Sequence, residues 1–88
     1  MSVHASITAK LTQAFAPTAL DVIDESENHR GHGGWREGGE THFRVKVVSE
    51  AFHGRSRVDR HRMVNQVLDA ELKGRVHALA IEARAPGE

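Results

Sequence analysis

Seven histidines and no cysteine make imidazole the principal transition-metal donor that this 88-residue chain can offer. Thiol nucleophiles, disulfides and all-thiolate zinc sites are excluded, and any iron–sulfur centre must draw its cysteine ligands from another molecule. Three histidines have suggestive surroundings. His61 lies in Arg57-Val58-Asp59-Arg60-His61-Arg62-Met63-Val64-Asn65, where helical spacing puts it in one stripe with Val58, Val64, Leu68 and Leu72. It is expected to face inward, which disfavours its charged form and keeps it neutral, as metal ligation requires. The commoner role for an imidazole on an apolar face is packing with one backbone hydrogen bond, and spacing alone does not choose between the two. His29 and His32, in Asn28-His29-Arg30-Gly31-His32-Gly33-Gly34, stand three apart and can reach one metal, although surface loops collect polar residues in any case. Solvated positions are expected for His4, His42 and His53. A packed one is expected for His77, which alternates with Leu79 and Ile81.

Arg55, Arg57, Arg60 and Arg62 form the one dense basic patch, around the start of a helix, where guanidinium groups suit phosphate or carboxylate oxygens. The plainer role is a solvated face balanced in part by Asp59 and Asp69. No nucleophile motif, convincingly spaced carboxylate pair or nucleotide-hydrolase phosphate loop is present. Gly31-His32-Gly33-Gly34 matches the glycine pattern of RNA-binding KH modules, but between two strands rather than two helices.

The elements that must position these groups follow from periodicity. Val3, Ile7, Leu11 and Phe15 recur every four residues, with Ala14 on the same side, as in an amphipathic helix capped by Ser2 and stopped at Pro17. Leu20, Val22 and Ile23 predict a strand over residues 19–26, followed by a glycine-rich loop to Gly39. Thr41 to Ser49 alternates, with Phe43, Val45 and Val47 facing one way and His42, Arg44 and Lys46 the other. A helix from Ser56 to about Leu72, ended by Gly74, and a third strand from Val76 to Ala83 complete the chain; residues 84–88 read as a frayed tail. The second and third strands flank a helix, which predicts a parallel right-handed crossover. The expected fold is an α+β two-layer sandwich, with a three-stranded mixed sheet and two main helices on one face.

Twelve Lys and Arg balance twelve Asp and Glu, so no global field draws the chain to nucleic acid or a membrane. Free imidazole titrates near about 6.5, so mildly acidic pH is expected to turn a neutral chain cationic. Met1 to Phe15 reads as neither signal peptide nor membrane span, which places the expected location in the cytoplasm or an equivalent reducing compartment.

Asp24-Glu25-Ser26, Gly39-Glu40-Thr41-His42-Phe43-Arg44-Val45, Val48-Ser49, the run Arg57 to Asn65 and Val76-His77-Ala78-Leu79-Ala80-Ile81 together resemble the BolA family, over nearly the whole chain. The resemblance implies the same helix–strand–strand–helix–strand fold, related to class II KH domains. It also implies a non-enzymatic partner of monothiol glutaredoxins that shares a [2Fe–2S] cluster with glutaredoxin and glutathione, in cluster assembly or iron signalling. No membrane or small-molecule substrate is implied. Some bacterial members are described as DNA-binding stress and morphology regulators, for which Arg55, Arg57, Arg60 and Arg62 are the expected contacts. The implied cluster ligands are His61, from the Arg-His-Arg stretch, and a loop residue matching His29, with His32 as substitute. One geometric demand follows. The loop and the helix leave opposite ends of a strand roughly 26 Å long at about 3.3 Å per residue, so the loop must fold back for His29 to meet His61.

Overall fold

The computed structural model describes residues 2–26 and 39–88. The order of elements is α1 (Val3–Phe15), β1 (Ala19–Asp24), β2 (His42–Val48), α2 (Arg57–Val67), α3 (Asp69–Lys73) and β3 (Ala78–Arg84), with a 3-10 turn at Glu50–Phe52 before α2. β2 is central, antiparallel to β1 and parallel to β3, so the sheet is mixed and β2 and β3 run parallel as expected. Phe43, Val45 and Val47 point into the core with Leu20, Val22, Leu79 and Ile81 beside them, while Arg44 and Lys46 lie on the uncovered face.

α1 forms where its stripe predicts. The Ser2 hydroxyl accepts from the Ala5 N–H at 3.0 Å, and Ile7, Leu11 and Phe15 are buried, although Ala14 is exposed. The helix ends through Ala16 in the left-handed region (φ 43°), and the Ser49 hydroxyl donates to the Phe15 carbonyl at 2.6 Å, satisfying a terminal acceptor. The Phe15 and Phe52 rings pack 5.0 Å apart, tying this end of α1 to the turn that leads into α2.

Four expectations need correction. The second helix is broken: Leu68, fully buried, has ψ 19°, and beyond it α3 turns Glu71 towards α1. There Glu71 accepts from Ser6 Oγ at 2.6 Å and Lys10 Nζ at 2.9 Å. Burial acts to raise the Glu71 pKa, but the bonds from Lys10 and Ser6 outweigh it and hold the carboxyl below its ordinary value. Val58 is exposed rather than part of the apolar stripe, because at about 100° per residue it sits about 120° round the helix from buried Val64. The segment 84–88 is not frayed. Arg84 closes β3, Ala85 is buried, the Glu88 N–H donates to the Ala85 carbonyl, and the Glu88 side chain is clasped by Arg60. Val76 precedes β3 because its N–H donates to Glu71 at the end of α3 instead of entering the ladder.

Candidate functional site

Polar chemistry gathers at the two ends of β2 and β3. At the first end the loop departs after Ser26 and returns at Gly39, and a compact knot holds these two points together. The Asp24 carboxylate accepts from Ser26 N–H at 2.9 Å, from Ser26 Oγ at 2.5 Å and from Glu40 N–H at 3.1 Å. Ser26 Oγ accepts in turn from Thr41 N–H at 3.0 Å and His42 N–H at 3.3 Å. Burial acts to raise the Asp24 pKa, but the hydrogen bonds from Ser26 and Glu40 prevail and hold the carboxyl below its ordinary value. Gly39 has φ 72°, and a Cβ there would meet Asp24 Oδ2 at 3.3 Å. Arg75 Nε donates to the Gly39 carbonyl at 2.9 Å.

Two histidines stand beside this neck with their expected environments exchanged. His42 is buried, only 5% exposed, because it opens the central strand between β1 and β3, and its Nδ1 lies 2.9 Å from Thr41 Oγ1. His77 is exposed, because it precedes β3 at the rim, its N–H donating to the Thr41 carbonyl at 2.7 Å. The two rings are 5.5 Å apart. His29 and His32 lie outside the described residues. The sequence carries a signal for the place of His77 beside the neck: in a parallel pair the starts of β2 and β3 lie side by side, so the residue before β3 must adjoin the loop that enters β2.

At the other end a recess of about 470 Å³ is lined by Arg55, Arg57, Arg60, His61 and β3 residues 81–84. His61 is half-buried there. Its β3 neighbours are three to six residues from Ala78, the partner of His42, or roughly 10–20 Å along the strand at ~3.3 Å per residue. His61 and the neck are therefore at opposite ends, as the sequence reading anticipated. Arg60, with its side chain 13% exposed, donates through Nε to the Arg55 carbonyl at 2.9 Å and through NH1 to the Ala83 carbonyl at 3.2 Å. Its two terminal nitrogens also grip both oxygens of Glu88 at 2.5 and 2.8 Å. The Arg60 guanidinium, helped by the Ala85 N–H, lowers the Glu88 carboxyl to about 2. Arg62 faces away, beside Asn65, Gln66 and Asp69. Elsewhere, His4 Nε2 lies 2.8 Å from the Val22 carbonyl and His53 contacts Glu50. Among the described residues no three His, Asp or Glu side chains converge as a metal site, and no helix is long and apolar enough to cross a membrane.

A two-layer α+β module with helix–strand–strand–helix–strand order and its polar groups at the ends of one small sheet is the class this geometry defines. The chain belongs to the BolA-like protein family, whose pattern it matches over residues 11–88. It is 52% identical over 89 residues to an uncharacterized protein of Sinorhizobium sp., spanning all of this chain and 96% of that one. It is 49% identical over 86 residues to mouse BolA-like protein 1, covering 98% of this chain but only 60% of that protein. It is also 49% identical over 75 residues to the "DNA-binding transcriptional regulator BolA" of Vibrio cholerae, covering 85% of this chain and 67% of that one. Among solved structures, the BolA domain of SufE1 from Arabidopsis thaliana superposes with a TM-score of 0.88 at 43% identity, covering 98% of this chain and 94% of that one.

Proposed function

We propose that this chain is a non-enzymatic adaptor in iron–sulfur cluster assembly or trafficking or in iron signalling, docking a monothiol glutaredoxin against α2 and β3 and sharing a [2Fe–2S] cluster with it and with glutathione. The observation that carries the reading is the exposed imidazole of His77, beside the neck of a loop bearing His29 and His32, in a chain with no thiolate of its own. Bound there, a cluster would supply redox and iron-transfer chemistry. His77 and one loop histidine would hold the iron that lacks glutaredoxin sulfur. The neck keeps the loop ends at the rim beside His77, and Thr41 orients the neighbouring His42 ring. His61 is the alternative imidazole, and it would serve only if the loop reached across to the far end of β3. Histidine ligation makes retention pH-dependent, so the shared cluster is expected to be lost between about pH 7 and 5.5.

Adding the chain to cluster-loaded glutaredoxin should change the visible circular dichroism. His77→Ala should abolish that change and His61→Ala preserve it, while His29→Ala and His32→Ala identify the loop donor. No response from wild type refutes the shared cluster. A response lost in His61→Ala but kept in His77→Ala returns the ligand to α2.

A second reading, a DNA-binding stress regulator, is favoured by the name of the Vibrio relative and by the grouping of Arg55, Arg57 and Arg60. Its affinity should fall steeply with salt, with a shallower slope in Arg60→Gln. Equal, weak binding of promoter and random duplexes at physiological salt would exclude it.

A further inference from the structure

We propose that the recess between the start of α2 and the end of β3 is a phosphate-binding site whose Arg60 fork Glu88 holds with its own carboxylate until a doubly charged ligand displaces it. The inference needs neither glutaredoxin nor iron. It shares Arg55, Arg57 and Arg60 with the DNA reading, but its readout is the competition with Glu88.

Charge comes first. Arg55, Arg57, Arg60 and Arg84 bring four guanidinium groups from three segments to one recess, where Glu82 is the one lining carboxylate among the described residues and Glu88 pairs with Arg60. Two positive charges are left in surplus. Arg55 and Arg57 have no ion pair among the described residues, and Arg84 reaches Glu82 only at 3.9 Å. Such crowding of like charge is relieved by an incoming dianion.

The second point is preorganisation. Arg60 is fixed by the Arg55 and Ala83 carbonyls before any ligand arrives, so little side-chain freedom remains to be lost on binding. Its planar fork already holds two oxygens of one anion, the geometry that also suits two oxygens of a phosphate. The half-buried His61 imidazole borders the same space.

The third is selectivity. Glu88 is tethered, so a free carboxylate of equal charge competes against a high effective concentration. A phosphomonoester dianion can draw on the surplus charge that a single carboxylate leaves unused. The phosphodiester of a nucleic-acid backbone carries one negative charge per phosphate and lacks this advantage, so a free phosphomonoester is the ligand class that fits and a DNA duplex is the control.

Titrating inorganic phosphate at constant ionic strength into the labelled chain, with detection of backbone and arginine Nε–H signals by NMR, reads the site directly. Saturable shifts are expected at Arg55, Arg57, Arg60 and Arg84, and Glu88→Gln should tighten binding several-fold. Arg60→Gln should abolish it; since Arg60 also braces the fold, Arg84→Gln, on the rim, provides an independent loss. Repeating the titration with a short DNA duplex checks the charge requirement: an effect of Glu88→Gln on inorganic phosphate supports the dianion site, and an effect on the duplex alone overturns it in favour of nucleic-acid binding. Affinity for both probes unchanged in Glu88→Gln, or unsaturable shifts spread over Arg44, Lys46 and Arg62, overturns the proposal.

Discussion

The two ends of the sheet use polar residues in opposite ways. At the loop neck Asp24, Ser26, Thr41 and the returning backbone satisfy one another, so the knot has little capacity left for a ligand. At the recess, by contrast, guanidinium groups outnumber carboxylates, and among the described residues Arg60 to Glu88 is the one two-pronged clasp beside a long Arg84–Glu82 pair. The contrast separates residues that position a site from residues free to bind. The neck places His77 and the loop ends, whereas the recess presents unspent charge.

Removing a core side chain beneath the recess end should give the largest effect. Phe52 is fully buried against Phe15 and immediately precedes the turn that carries Arg55. Phe52→Ala is expected to cost about 3–5 kcal/mol, the usual range for a buried Phe, measured as a fall in the urea midpoint. If the ends are independent, hydrogen exchange in this variant should rise first at the start of α2 and later at Thr41 and His42. Simultaneous loss would show one cooperative unit.

The neck alone is addressed by Ser26→Ala. This residue is 1% exposed and its hydroxyl serves the N–H groups of Thr41 and His42. Leaving buried donors unpaired costs about 1–3 kcal/mol. Gly39→Ala should cost about 1–2 kcal/mol, since a Cβ is disfavoured at positive φ and here also crowds Asp24. Both variants should impair the His77-dependent cluster response while leaving phosphate shifts at the recess intact. Equal damage at both ends would mean that the neck does not act locally.

Much of this arrangement was legible before any coordinates, and the gaps have physical causes. α1 and β2 were readable because one periodicity governs each of them and the core lies on a single side. The parallel crossover followed from a helix lying between two strands. The break at Leu68 was not readable, since Glu71 satisfies its carboxylate on α1, a partner 61 to 65 residues away in sequence. His42 and His77 exchanged environments because alternation assigns faces within a strand but says nothing about its first residue or the one before it. The tail looked frayed by composition, yet Arg60 supplies it with a partner 28 residues away. Of the candidate ligands, His61 was expected to face inward and is half-buried at the recess, whereas the place of His77 beside the loop neck became visible only once the starts of β2 and β3 were set side by side.

The smallest expected effect lies in the Arg60–Glu88 clasp and concerns pH. The Glu88 carboxyl is lowered from 4.5 to about 2, chiefly by the Arg60 guanidinium. A depressed carboxyl favours the folded state fully above its unfolded value and loses that contribution as pH falls through the folded one. The clasp should therefore be intact at neutral pH, begin to lose its contribution below about 4.5 and open near 2. Between pH 7 and 5.5 the two ends should then part company, with a histidine-held cluster lost at the neck while the recess remains clasped. Following the Glu88 side-chain carboxyl by carbon NMR, alongside the visible spectrum of the glutaredoxin complex, measures both ends in one pH series. A Glu88 midpoint near 4.5 would mean that the clasp does not hold in solution, and the recess would then have no internal competitor to displace.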